Sequence, residues 1–408
     1  MPSRPSRLNP IVSRRQLAKG VAAAGAVAVT LDVLAGCANN TGDQAASNPV
    51  VVSSDAATSI LDSFSETSTN PLKESSAWTL PLGSVPRPAE GYWIPYLAAG
   101  TTASPINICC AFSTDTEKSS TVLKAPVTGT SNVVFYDVQC SDDVYAWVEM
   151  SLIDRSWTLL ASKFADGDIS DDKSTLWQGD SNYDPPRFCC TGSKVFWQVM
   201  PSTSGSKTTE HSGLYVWHVG DSQAKQVIDS PGRFATDPVI SGDTITVTPR
   251  VRPTQGTYYG ITAYLTKDDC STQVDQLVLP VSVKPFHAVR IGGKFAFSVE
   301  ANYSTGGLLA GMGSYVGTSS GKFLTLPREP FAGITGKEGL YIIKSRASYF
   351  VVDADNQQYY ILAAVDHALD YGDYPARVGE CSYFVTYATT KNASTGYPVS
   401  VSVRTFDV

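Results

Sequence analysis

A turn followed by a short strand rich in aromatic and β-branched residues recurs along this chain of 408 residues. Examples are SDDVYAWVE, GSKVFWQVM, SGDTITVTP and GGKFAFSVE. A repeat of this kind requires stacked, equivalent units, because one unit cannot bury its own apolar surface. The clear copies begin at Ser141, Gly192, Ser241, Gly292, Gly336 and Gly379, at separations of 51, 49, 51, 44 and 43 residues, and a weaker copy begins near Gly100.

Each repeat contains about four short apolar runs, separated by Gly, Pro, Asp and Ser. From residue 76 onward no stretch has the period of a long amphipathic helix, so the domain is predicted to be all-β. Four strands per unit, repeated seven times, are typical of a seven-bladed β-propeller. Tandem β-sandwich domains are the alternative, but such domains would not repeat at this spacing.

The last repeat, from Gly379, ends one strand short of a complete unit. The segment WTLPL, Trp78 to Leu82, matches the outermost strand of other repeats, such as QLVLP at 276–280 and FLTLP at 323–327. We therefore predict that this N-terminal strand completes the C-terminal blade and covers an edge that would otherwise be unpaired.

The N-terminus has the pattern of a processing signal. SRRQLAK, which contains Arg14 and Arg15, precedes a run of Ala, Gly, Val and Thr that ends in LAGC at Cys37. This resembles a twin-arginine export signal joined to a lipoprotein cleavage box, although Leu17 and Ala18 replace the usual Phe and Leu. The resemblance implies that Cys37 becomes the lipidated N-terminus of a protein held on the extracytoplasmic side of the cell membrane.

Three regions follow from these patterns: a signal at 1–37, a flexible Ser/Thr-rich tether at 38–75 and the propeller at 76–408. Removing residues 1–36 takes away five bases and one acid, which moves the net charge from −7 to −11. So acidic a protein is a poor nucleic-acid binder, and no nucleic-acid partner is expected.

Seven cysteines remain besides Cys37, among them two neighbouring pairs, Cys109–Cys110 and Cys189–Cys190. Neighbours on a strand point to opposite faces, so each pair is expected to offer one buried and one outward thiol. Export permits disulfides, but their pairing cannot be read from the sequence. No CxxC motif occurs and the four histidines lack metal-binding spacings, so neither a metal nor another cofactor is expected.

Arginines fall in the predicted connectors between repeats, in VPRP, DPPRF, SPGRF, LPREP and YPAR. The guanidinium fork binds carboxylates and phosphates, so a ring of arginines at one face suits an anionic glycan, a peptide or an envelope protein. Aromatic residues in the same connectors add stacking surfaces. The alternative is that each arginine pairs with a local carboxylate and braces the blades. The candidate ligand-binding residues are Arg87, Arg187, Arg233, Arg328, Arg377, Tyr183 and Trp93.

The repeats resemble the TolB-like and lipoprotein-anchored propellers of bacterial envelopes, and this resemblance implies an interaction scaffold. A second hypothesis is an exported enzyme that acts on polysaccharide at the propeller mouth, with Asp184 and Asp237 as candidate carboxylates. No residue pattern assigns a catalytic group. GTSSG at 317–321 fits a nucleophile pattern, but it lacks the following helix and is interpreted as a turn.

Overall fold

The computed structural model describes residues 48–49, 56–100, 106–129, 132–300, 311–346, 348–363 and 373–408. Arg14, Arg15 and Cys37 of the export signal lie outside these ranges. Among the described residues there is one short helix, α1 (Ile60–Ser63), and the strands form seven sheets. Across those ranges, no helix is long and apolar enough to cross a membrane.

Three strands precede the first sheet along the chain, and the sheets are numbered by the order of their first strands. The early strands are β1 (Ala57–Ser59), β2 (Ser65–Glu66) and β3 (Lys73–Pro81). Sheet 1 contains β4 (Val85–Pro86), β5 (Trp93–Ala99), β6 (Asn107–Ser113) and β7 (Ser119–Leu123). Sheet 2 contains β8 (Val133–Cys140), β9 (Val144–Ser151), β10 (Trp157–Ala165), the short β11 (Asp168–Ile169) and β12 (Ser174–Gly179).

The next two sheets have the same antiparallel order. Sheet 3 contains β13 (Arg187–Thr191), β14 (Lys194–Val199), β15 (Ser212–His218) and β16 (Lys225–Ser230). Sheet 4 contains β17 (Val239–Ser241), β18 (Thr244–Val247), the short β19 (Arg250–Val251), β20 (Tyr258–Leu265) and β21 (Gln273–Val278).

The last three sheets also take strands from the N-terminal segment. Sheet 5 contains β22 (Pro285–Ile291), β23 (Lys294–Val299), β24 (Gly313–Gly317) and β25 (Phe323–Leu326), with β1 beside β25. Sheet 6 contains β26 (Thr335–Lys337), β27 (Leu340–Ser345), β28 (Ser348–Asp353) and β29 (Gln358–Ala363), with β2 beside β29. Sheet 7 contains β30 (Asp373–Pro375), β32 (Tyr383–Lys391), β33 (Pro398–Asp407) and β3, while β31 (Gly379–Glu380) pairs with β26.

The sheets are arranged as a β-propeller, in which six blades are recognised. The prediction of a propeller is therefore confirmed and the tandem β-sandwiches are excluded, whereas the count of seven blades stays a prediction. The described residues from Asn48 to Val408 form one compact unit.

A hydrophobic cluster lies between each sheet and the next, and one of these clusters joins sheet 7 to sheet 1. Strand β9 shows how the sequence builds two clusters at once. Val144, Ala146 and Val148 pack toward sheet 3, while Tyr145 and Trp147 pack toward sheet 1. Successive side chains of a strand point to opposite faces, so a sheet covered on both faces needs a nearly continuous apolar run.

The N-terminal strand closes the last sheet, as the sequence predicts. β3 pairs antiparallel with β33 from Lys73 to Pro81, with Trp78 opposite Val403. Leu80 is 2% exposed and packs in the cluster between sheets 7 and 1. The strand begins five residues earlier than predicted because the backbone pairing extends into the polar residues KESS, which carry no apolar signal.

Part of the segment expected to be a flexible tether at 38–75 is ordered against the propeller, which corrects that prediction for residues 57–66. β1 pairs parallel with β25 and β2 pairs parallel with β29. Ile60 of α1 is 1% exposed in the cluster between sheets 5 and 6. The pairing uses backbone groups of free sheet edges, so a polar sequence suffices for it.

Both neighbouring cysteine pairs have less exposed thiols than predicted. Cys109 and Cys110 are both buried, and Cys190 is buried while Cys189 is half-buried. Cys109 packs toward sheet 2 and Cys110 toward sheet 7, so the two thiols do point to opposite faces. Each face is covered by a neighbouring sheet. All seven described cysteines are free.

The strands of each sheet end at one or the other of two opposite faces of the propeller. The loops from second to third strands, and from each fourth strand to the next sheet, lie on one face, which we call the connector face. The turns from first to second strands and from third to fourth strands lie on the opposite face, which we call the hairpin face. The hairpin at Gly292 requires glycine, because φ is +51° and a Cβ would approach the Glu338 Cβ to 2.5 Å.

Candidate functional site

A cavity of about 340 Å³ lies where the first strands of the sheets meet. Every sheet contributes lining residues, from the first strand or from the segments adjoining it. Ligand sites are usually concave surfaces of this kind, in which a few polar groups converge on an apolar wall. The acidic, basic and histidine side chains of the wall are Arg87, Glu90, Asp237, His287, Arg377 and Glu380.

Arg87 lines the cavity directly after β4 and is not free. Its Nε lies 2.8 Å from Oδ1 of Asp137 on β8. Burial raises the pKa of Asp137, although the Arg87 charge acts in the opposite direction. The pair joins sheet 1 to sheet 2 across the cavity wall, and it offsets the positive charge of the arginine.

Arg187 and Asp237 form a second pair, with Nη1 of Arg187 3.0 Å from Oδ1 of Asp237. The Asp237 side chain is 68% exposed and lines the cavity. This pair therefore leaves an accessible carboxylate, and the guanidinium beside it is 39% exposed. Both groups have unused hydrogen-bonding capacity for a polar ligand.

His287 lies in the same wall, on β22. Its Nε2 is buried and has no hydrogen-bond partner within the described ranges. Burial lowers the pKa of His287, while the charge of Asp237 acts in the opposite direction, so the imidazole is neutral at neutral pH. The ring of Phe286 contacts it edge to face, with 4.3 Å between centroids. A buried ring nitrogen without a partner marks a position where a ligand could donate or accept a hydrogen bond.

Three basic side chains, Lys284, Arg187 and Arg233, lie close to one another beside the mouth of the cavity. Burial lowers the pKa of Lys284, and the charges of Arg187 and Arg233 lower it further. Arg233 donates to Oδ2 of Asp184 at 2.5 Å and to the carbonyl of Pro201. The three cations therefore have positions close enough to repel one another, although Arg187 and Arg233 each have a carboxylate partner.

Arg377 lines the cavity but binds the protein's own backbone. Its guanidinium donates to the carbonyls of Ala89, Glu90 and Gly91, and to the Tyr383 hydroxyl at 2.6 Å. The residue is 3% exposed. It joins sheet 7 to the segment after β4, so its role is to hold the two ends of the ring together.

The other predicted ligand residues lie apart from the cavity lining. Arg328 is exposed in the loop before sheet 6. The Tyr183 hydroxyl donates to Glu210 and accepts from Lys207. Trp93 packs edge to face against Phe164, between sheets 1 and 2, with 5.5 Å between centroids. The structure therefore brings Arg87 and Arg377 into the cavity, places Arg187 and Arg233 beside its mouth, and leaves these three residues outside.

The sequence did not single out His287 or Glu90 as site residues. Burial raises the pKa of Glu90, while a hydrogen bond with Thr191 and the Arg377 charge act in the opposite direction. Both residues lie on segments that adjoin the cavity, and only the ring geometry shows this. Asp184 and Asp237, the carboxylates of the enzyme hypothesis, are each paired with an arginine. Across the described ranges, no cluster of three His, Cys, Asp or Glu residues is placed to hold a metal ion.

Exposed large apolar side chains are concentrated on the connector face. Of the sixteen in the described ranges, thirteen lie in its loops or at the strand ends that adjoin them. Tyr92 and Val274 lie at the hairpin face, and Tyr136 lies within β8. The thirteen are Leu82, Val85, Ile106, Val127, Leu152, Ile153, Val281, Phe286, Met312, Phe331, Tyr374, Tyr397 and Val399.

Charge is distributed unequally between the two faces. The described loops of the connector face carry nine basic and seven acidic side chains. The hairpin face, apart from the cavity segments 87–92 and 376–382, carries four lysines and fourteen carboxylates. Those carboxylates are Asp115, Glu117, Asp142, Asp143, Asp166, Asp168, Asp171, Asp172, Asp221, Asp243, Asp268, Asp269, Glu338 and Asp355.

Comparison with solved structures finds similar folds at low sequence identity. The propeller domain of the Trilobed protease from Pyrococcus furiosus is 11% identical, with a TM-score of 0.41, covering 64% of this chain and 80% of that one. YCF48 bound to D1 peptide is 10% identical, with a TM-score of 0.49, covering 84% and 99%. Pyrococcus horikoshii acylaminoacyl peptidase is 9% identical, with a TM-score of 0.46, covering 77% of this chain and only 49% of that one.

No family model matches the chain, and no curated protein matches it. The chain spans about half the length of the peptidase named above. These similarities therefore assign neither an activity nor a functional residue to this chain.

Proposed function

We propose that this protein is a membrane-anchored, extracytoplasmic binding protein whose propeller has seven blades and takes an anionic glycan at the mouth of its central cavity. The seven sheets and the clusters between all consecutive pairs support the blade count. The resemblance of residues 13–37 to an export signal with a lipoprotein cleavage box supports the location.

One observation carries the choice of ligand: the exposed Lys284 lies near Arg187 and Arg233, and desolvation together with these two charges lowers its pKa. An anionic group among these side chains would relieve their mutual repulsion and favour the charged form of Lys284. The cavity wall offers the unpartnered Nε2 of His287, and the exposed aromatic ring of Phe286 contacts the His287 ring. A sugar presents hydroxyls for the first and an apolar ring face for the second.

A binding screen tests this function. Residues 38–408 are screened against acidic and neutral glycans and peptidoglycan fragments, and hits are measured by calorimetry. We expect Lys284→Gln to weaken binding of an acidic hit by about tenfold, the loss of one hydrogen bond to a charged group. Affinity should also fall with added salt.

Val274→Ser, at the hairpin face, is the matched control and should bind as the wild type does. Binding that survives Lys284→Gln unchanged, or a preference for neutral glycans, would contradict the proposed site.

An exported polysaccharide-acting enzyme is the second candidate. Glu90, whose pKa is raised, and Asp237, which is ion-paired, both line the cavity and both act on the pKa of Cys189. General acid work needs a carboxyl group that keeps its proton, and burial favours the protonated form of Glu90. The same screen discriminates the two functions, because an enzyme would shorten a bound glycan, and Glu90→Gln would abolish this while retaining binding.

A further inference from the structure

The geometry points to a second interaction, distinct from the cavity: we propose that the connector face docks onto an anionic lipid bilayer, with the loop tips of sheets 2 and 7 in the headgroup region. This proposal uses the membrane location of the proposed function, but it does not depend on the glycan ligand. The docking residues named below do not line the cavity.

The first argument is that large apolar side chains are exposed in the turns of the connector face. Leu152 and Ile153 are consecutive residues in the turn between β9 and β10, and they are 53% and 75% exposed. Tyr397 ends the turn between β32 and β33 and is 73% exposed. These side chains project from turns, so they suit insertion between lipid headgroups. Tyrosine in particular is favoured at such interfaces because it has an apolar ring and a polar tip.

The second argument is charge. The hairpin face has ten more carboxylates than lysines in its loops, whereas basic side chains slightly outnumber acidic ones on the connector face. An anionic surface repels the first face and not the second, so its field turns the connector face toward the lipid. Lys124 and Arg155 both lie in loops of this face, and the turn that holds Leu152, Ile153 and Arg155 carries one acid, Asp154.

The third argument is where the anchored end of the chain meets the propeller. Nη2 of Arg252, in a connector-face loop of sheet 4, donates to Oδ1 of Asn48 at 3.3 Å. Asn48 lies eleven positions after Cys37, and a chain of that length reaches at most about 40 Å. A lipid anchor at Cys37 would therefore keep this face close to the bilayer.

Vesicle binding tests the proposal in the chain of residues 38–408, which lacks both the apolar leader and the lipidation site. We expect co-sedimentation with vesicles of phosphatidylglycerol and phosphatidylcholine, and weaker binding to phosphatidylcholine alone. Replacing both Leu152→Ser and Ile153→Ser should lower the partition coefficient at least about tenfold, because two apolar side chains lose their burial.

Val274→Ser and Tyr92→Ser are the matched controls, since both residues are exposed apolar side chains of the hairpin face. Each should change the partition coefficient less than about twofold if this face stays in water. Ile153→Trp gives a readout of the opposite sign: tryptophan favours the interface, so vesicle binding should strengthen and the fluorescence should shift to the blue. Val274→Trp should show no shift on addition of vesicles.

Absence of vesicle binding by the unsubstituted chain would overturn the proposal, and a face that serves a soluble protein partner would give this result. Equal effects of the connector-face and hairpin-face substitutions would overturn it as well. The two proposals fail separately, because Lys284→Gln should weaken glycan binding about tenfold, whereas the Leu152 and Ile153 substitutions should lower the vesicle partition coefficient and leave glycan binding unchanged.

Discussion

The sequence singles out the arginines near the cavity, but it does not show what each of them binds. Arg87, Arg187 and Arg233 each pair with a carboxylate, as the structural interpretation of the sequence expects. Arg377 instead binds three backbone carbonyls, which no sequence pattern indicates. A guanidinium suits both tasks because it presents five donors in a rigid plane. The sequence predicted that these arginines lie in connectors between repeats, but Arg87 and Arg377 follow the first strands of sheets 1 and 7. Only the fold shows which acceptors surround each arginine.

His287 should make the stability of the protein depend on pH. Its folded-state pKa is lowered from 6.5 by burial, so below about pH 6.5 the unfolded chain binds more protons and stability falls as the pH falls. Glu90 and Asp137 have raised pKa values and contribute with the opposite sign. We therefore compare melting temperatures of the wild type and His287→Gln between about pH 7.5 and about pH 5.5. The wild type should lose more stability than the variant, and equal losses would show that the imidazole is not buried neutral.

At the scale of elements, the N-terminal strands have different functions although they run consecutively. β1 and β2 make short parallel pairings along the outer edges of sheets 5 and 6. β3 makes a long antiparallel pairing with β33 and contributes to a hydrophobic cluster. The sequence predicted the role of β3 because WTLPL resembles other outer strands. It missed β1 and β2 because their pairing is parallel, short and made by polar residues, so it leaves no period in the sequence.

Leu80 provides a test of how much β3 stabilises the ring. Leu80→Ala should lower the free energy of unfolding by about 2–4 kcal/mol, because the side chain is buried between sheets 7 and 1. Denaturant titration measures the change. Leu82→Ala is the matched control, since Leu82 is 44% exposed just beyond the strand, and its effect should stay within about 0.5 kcal/mol. Similar losses for both variants would mean that β3 is not packed in the ring.

For the whole molecule, the repeat predicted the propeller, whereas the cavity and the two unlike faces required the structure. Spacing along the chain predicts how many similar units exist, but the cavity depends on which first-strand side chains meet across the centre. The burial of the thiols also required the structure. Neighbouring cysteines were expected to include outward thiols, yet a sheet between two others has no outward face, so burial extends to Cys109 and Cys110 alike.

The reactivity of the thiols tests whether the whole propeller is folded. Burial raises the pKa of every described cysteine, to about 12 for Cys270 and about 11 for Cys381. Only the thiolate reacts readily, so native protein of residues 38–408 should react slowly with a thiol reagent, with the half-buried Cys189 and Cys381 first. In denaturant without reductant, seven thiols should react, and six in Cys381→Ser. Five or fewer in the wild type would reveal a disulfide.

The pairing of β3 with β33 also sets an order in time. β33 follows β3 after all the strands of sheets 1 to 6, so the edge of β3 stays unpaired until a strand that is synthesised much later joins it. Sheets 1 to 6 can form before β33 is synthesised, but sheet 7 and the cluster that joins it to sheet 1 cannot. A product that stalls before β33 would therefore carry an open ring with two exposed sheet faces, which quality-control proteases could recognise.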